Sequence, residues 1–81
     1  MILLNLSLAL SDDSHIIVLE TESEKDPKYT KVFDGSNSDF SNQEYLDFYF
    51  NKVIVCAPHE NTLRIMTKKQ SMWEALISDD D

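Results

Sequence analysis

Residues 1–21, Met1-Ile2-Leu3-Leu4-Asn5-Leu6-Ser7-Leu8-Ala9-Leu10-Ser11-Asp12-Asp13-Ser14-His15-Ile16-Ile17-Val18-Leu19-Glu20-Thr21, hold the reading on which the fold turns. Leu4, Leu6, Leu8 and Leu10 alternate with Asn5, Ser7 and Ala9. Side chains alternate between the two faces of an extended chain, so this pattern predicts a half-buried first β-strand. Ser11-Asp12-Asp13-Ser14 is turn chemistry, because short polar side chains bond their own backbone. Residues 15–21 are rich in β-branched side chains and are expected to return antiparallel as a second strand.

Working outward, residues 22–27 read as a charged loop or a polar extension of the second strand, closed by Pro27, and residues 28–33 as a third strand. Residues 34–39 (Asp-Gly-Ser-Asn-Ser-Asp) read as a loop holding the only glycine in the chain. Ser41 followed by Glu44 has the spacing of a capping box, and Tyr45, Phe48 and Tyr49 recur at helical intervals. Residues 42–51 are therefore expected to form a short helix, with an extended conformation as the alternative because aromatics also favour strands. Residues 52–57 and 62–68 form a second hairpin across the turn Pro58-His59-Glu60-Asn61. Thr67 and Gln70 repeat the capping-box spacing, and Met72, Trp73, Leu76 and Ile77 follow as i, i+4 pairs. A C-terminal amphipathic helix over 69–78 is expected to seal the sheet, with Met72 and Trp73 as a partner-binding face the alternative, leaving Asp79-Asp80-Asp81 as a solvated end. The order βββαββα implies an α+β fold, an antiparallel sheet of about five strands with two short helices on one face.

At 81 residues and 42% hydrophobic content, the chain suits one small domain and is too apolar for intrinsic disorder. Its stability margin should be thin, roughly a few kcal/mol. Cys56 is the only cysteine and sits in an apolar run, which reads as a buried small hydrophobe in a reducing, cytoplasmic setting. The apolar opening lacks a basic n-region and a small-residue cleavage site, and it is too short to span a membrane. Fifteen acidic residues against seven basic ones give a net charge of −8. That field repels phosphates and anionic membranes, so direct binding to nucleic acid or membrane is not expected. It attracts basic protein surfaces.

Within the acidic set, Glu20, Glu22, Glu24 and Asp26 share parity. On an extended chain they point the same way at intervals of ~6.8 Å, close to the phosphate spacing along a nucleic acid strand. Asp12 and Asp13 in the preceding turn widen the same acidic surface. These six residues are the candidate partner-binding site, able to enter a basic groove where phosphates would sit. The plainer account is a solvated face that deters edge-to-edge sheet pairing.

No other pattern carries chemistry. Asp34-Gly35-Ser36-Asn37-Ser38 resembles the D-x-S-x-S pattern of metal-dependent adhesion sites, which belong to a doubly wound domain larger than this chain; a turn is the expected role. Cys56, His59 and Glu60 lack zinc spacing, and positions 56 and 59 fall on opposite faces of an extended strand, so no Cys–His nucleophile is assembled. Tyr45, Phe48, Tyr49 and Phe50 lack the basic flanks of a base-stacking platform and read as core, while Arg64 with Lys68-Lys69 is too small a cluster to anchor nucleic acid. No catalytic residue, metal ligand or cofactor is assigned.

The expected function is a non-enzymatic, small acidic inhibitor or regulator that occupies a basic site on a partner, such as that of a nuclease or another nucleic-acid-handling protein. In size and charge alone the chain is similar to phage-encoded nuclease inhibitors, anti-CRISPR proteins, DNA-mimicking glycosylase inhibitors and colicin-type immunity proteins. The alternative is an assembly module that homodimerises or joins a complex through the leucine-rich first strand.

Overall fold

The computed structural model describes residues 1–78. Its elements are α1 (Leu3–Ala9), β1 (His15–Thr21), β2 (Thr30–Ser36), α2 (Asn37–Phe40), a 3-10 helix (Gln43–Phe48), β3 (Lys52–His59), β4 (Thr62–Lys68) and α3 (Met72–Ser78). The class is α+β, but the sheet has four strands in the order β2-β1-β4-β3 and is mixed. β1 pairs antiparallel with β2 and parallel with β4, while β3 and β4 form the expected hairpin.

The expected first strand is a helix. Leu3, Leu6, Ser7 and Leu10 recur at i, i+3, i+4 and i+7, a helical stripe hidden in the same letters as the alternation. Leu3 is fully buried, Leu6 and Leu10 pack on the core, and Leu8 is 77% exposed. Tertiary contacts supply what the local sequence lacks at both helix ends. The amides of Leu3 and Leu4 donate to the carbonyls of Asn51 (2.8 Å) and Tyr49 (2.9 Å). At the other end the buried Asn37 amide donates to the carbonyls of Ser7 (2.9 Å) and Leu10 (3.3 Å), and the Ser7 hydroxyl donates to Asn37 Oδ1 (2.7 Å). Ser7 breaks an apolar helical stripe on paper, yet it is buried because Asn37 satisfies it. The leucine-rich segment therefore offers no strand edge for dimer pairing.

Several boundaries move for local reasons. The third strand continues through Asp34 and Gly35 to Ser36, whose hydroxyl accepts the Asp39 amide and caps α2. The D-x-S-x-S run is thus a strand-to-helix junction rather than a loop. Asn42, not Ser41, caps the 3-10 helix by accepting the Glu44 amide. The β3–β4 turn contracts to Glu60-Asn61, with Glu60 at φ 57°. The C-terminal helix begins three residues later than expected: Ser71 and Glu74, not Thr67 and Gln70, form the reciprocal capping box.

Ile16 and Val18 of β1, Phe33 of β2 and Ile65 of β4 point to one side of the sheet and join Leu3 and Phe40 in the buried core. Tyr45, Phe48 and Tyr49 close over this cluster, as their spacing implied. Ile17 and Leu19 face the other side, together with Arg64, Met66, Val55 and Ala57. Cys56 is exposed on β3, an edge strand, and is not the buried hydrophobe expected. A bulge between Val53 and Val55 and the missing N–H of Pro58 blunt that edge against further strand pairing.

Where β1 and β2 meet, the Asp34 carboxylate lies 2.6 Å from His15 Nε2 and 3.4 Å from Lys31 Nζ. The His15 hydrogen bond, with help from Lys31, holds the Asp34 carboxyl below its ordinary value. A depressed acid stabilises the fold above its unfolded value, about 4, and that contribution disappears as pH falls through the folded value. Asp34→Asn should therefore be less stable than the parent at pH 5, with the gap closing toward pH 3; urea unfolding at the two pH values measures it. A gap of constant size would show that the carboxylate is not the origin.

Candidate partner-binding groove and exposed helix

The capping box starts α3 and orders its side chains. At 100° per residue, Met72, Leu76, Trp73 and Ile77 cover a continuous arc of roughly 140°. The side expected to seal the sheet faces solvent: the four residues are 53%, 66%, 71% and 78% exposed. On the opposite side Ala75 is 3% exposed and anchors the helix. Apolar side chains gathered this way are unusual on a free surface and mark contact sites.

Beside this helix lies a groove of about 940 Å³. One wall is the end of β1 with Glu20 and Glu22, a second is Asp47, Phe48 and Phe50 around the end of the 3-10 helix, and the third runs from Lys68 into Met72 and Glu74. Met72 belongs to both the groove and the apolar face, so the two form one surface. Behind the groove stands Asn51, fully buried, whose Nδ2 donates to Glu20 Oε2 (2.8 Å) and Thr67 Oγ1 (3.1 Å). Thr67 in turn donates to the Leu19 carbonyl (2.8 Å). The chain fixes the Glu20 carboxylate, while Asn51 Oδ1 remains buried with no donor facing it.

The six acidic residues singled out by sequence do not form one ladder. Extended geometry ends at Thr21, whose hydroxyl donates to the Ser23 carbonyl and accepts the amides of Ser23 and Lys28. This knot turns the chain through bends at residues 22 and 24–26, so the even spacing past Glu20 is lost. Glu20 is turned to Asn51, and Glu24 pairs with Lys52 at 3.2 Å. Glu22 and Asp26 are exposed. Asp12 and Asp13, also exposed, precede the opposite end of β1, about 20 Å away for a strand of this length. The structure therefore brings Glu20 and Glu22 to the groove and leaves Asp12 and Asp13 at the other pole.

Sequence reasoning missed Asp47 and Asn51, and it read Phe50 as core rather than as groove lining. Asn51 had a faint signal, as a polar residue between an aromatic run and an apolar strand. A shallower hollow of about 570 Å³ lies by Asp34, Ser38, Asp39 and Tyr45, where the Ser36 and Asn42 side chains are spent capping helices. Partial burial pushes the Cys56 thiol up, which keeps it protonated and poorly nucleophilic. Among the described residues, no three His, Cys, Asp or Glu side chains converge to hold a metal ion, and no helix is long and apolar enough to cross a membrane. Comparison with protein families, curated proteins and solved structures finds no match to this chain.

Proposed function

We propose that this domain is a small acidic regulator or inhibitor that seats on a basic, partly apolar surface of a partner protein, such as the site of a nucleic-acid-handling protein. The observation that carries the reading is the outward apolar face of α3 in a chain of net charge −8. The apolar face supplies the area that stabilises a complex, and the charge selects cationic partners and speeds encounter. Support comes from this combination and not from phosphate-like spacing, which the bends after Thr21 remove.

The test is capture on the immobilised chain from a cell lysate at low salt, followed by release with rising salt. Basic proteins, nucleic-acid-handling ones among them, should elute between moderate and high salt. Glu22→Lys combined with Glu24→Lys should deplete them, at little cost to folding because the Glu24–Lys52 pair is a surface contact. An eluate unchanged by the double reversal would remove the proposal.

A further inference from the structure

We infer that the groove receives a lysine or arginine side chain of a partner polypeptide whose neighbouring apolar residues rest on Met72, Trp73, Leu76 and Ile77. This rests on the partner-binding reading and gives it an address. Two half-buried rings, Phe48 and Phe50, line the cavity, with Glu22 and Asp47 exposed at its rim. Aromatic faces beside carboxylates suit an organic cation, which is attracted by both the ring quadrupole and the negative charge. Glu20 is already held by the buried Asn51, so little ordering is needed when a cation arrives.

Charge decides between occupants. Four acidic side chains line the groove against two lysines, Lys68 and Lys69, which disfavours an anion. A second copy of this chain would bring another net −8 to the contact, and two such fields repel. A small amine would leave the adjoining helix face bare. A basic amphipathic segment satisfies both halves, its apolar side on α3 and its cation in the cavity.

The probe is a synthetic amphipathic peptide of leucines and arginines, titrated into the whole chain at low salt. Trp73 is the only tryptophan and is 71% exposed, so its emission reports cover of α3 directly. Binding should shift that emission to the blue and move the amide resonances of Glu22, Asp47, Phe50 and Met72. Trp73→Ala, read by the amide resonances, and the Glu22→Lys/Asp47→Lys pair should each weaken binding about tenfold or more. Asp12→Lys with Asp13→Lys, about two Debye lengths away when the variants are compared at about 0.1 M salt, should leave it within about twofold. Amide spectra of each variant confirm folding before the comparison.

Equal weakening by the Asp12/Asp13 reversal would remove the groove site while keeping the basic-partner reading. No binding by the peptide at low salt would remove both. Equally tight binding by a peptide with glutamine for arginine would remove the cation. A blue shift that grows with protein concentration alone would assign α3 to a second copy. A shift seen with zwitterionic vesicles and not with peptide would assign it to lipid. Either of the last two overturns the inference.

Discussion

Phe40→Ala should unfold a large part of the population at moderate temperature. Phe40 is fully buried, and its ring meets Phe33 at 4.9 Å, Tyr49 at 5.3 Å and Tyr45 at 5.4 Å between centroids. Its carbonyl also accepts the Tyr49 hydroxyl at 2.7 Å, tying α2 to the residue that follows the 3-10 helix. Truncating a buried phenylalanine costs about 3–5 kcal/mol, from lost transfer energy plus the cavity left behind. A chain of this length holds roughly 4–12 kcal/mol in all, so the loss takes about a quarter of the margin at the high end and nearly all of it at the low end. Phe40→Leu retains part of the volume and should cost less. Leu46→Ala, at a half-exposed position, should stay within about 0.5 kcal/mol. Urea unfolding followed by far-UV circular dichroism is the suitable measurement, because the exposed Trp73 reports poorly on the core. A Phe40→Ala midpoint equal to that of the parent would contradict the packing described.

Asn51→Asp should be the most damaging change among the polar residues, and its effect should depend on pH. The native amide donates to both Glu20 and Thr67 from a site without solvent access. A carboxylate there loses both donations and sets a second anion within hydrogen-bond distance of Glu20. Uncompensated buried charge of this kind costs about 3–5 kcal/mol at neutral pH. The sign with pH follows from like-charge repulsion, which raises the introduced carboxyl above its ordinary value of about 4. The penalty is absent below that ordinary value and grows as pH rises through the elevated one. The variant should therefore gain stability from pH 7 toward pH 4.5. Asn51→Ala, which removes the donors without adding charge, should be damaged less and show no such gain. Equal stabilities for the two variants at pH 7, flat toward acid, would show that the buried site is open to water.

The legible parts of this fold were those whose partners lie nearby in sequence. The β3–β4 hairpin, the span of β1 and the inward aromatics Tyr45, Phe48 and Tyr49 follow from alternation and helical spacing over short windows. The C-terminal helix was legible too, though its cap lies at Ser71. The first segment was not, because its letters fit both periods. What decides between them is the pairing of Ser7 with Asn37, thirty residues away, and the docking of its first amides on Tyr49 and Asn51. The acidic ladder failed for a related reason, since it assumed extended chain beyond a threonine that folds the backbone onto its own hydroxyl.

By itself the sequence determined the sign and size of the charge, the α+β class, the antiparallel hairpin and the presence of an apolar stripe on the last helix. Tertiary structure alone decided that the leucine-rich opening is helical, that β1 runs parallel to β4, and that the stripe faces solvent beside an acidic groove. Periodicity records which side of an element is apolar. It does not record what that side meets, because burial and hydrogen-bond satisfaction depend on residues far away along the chain.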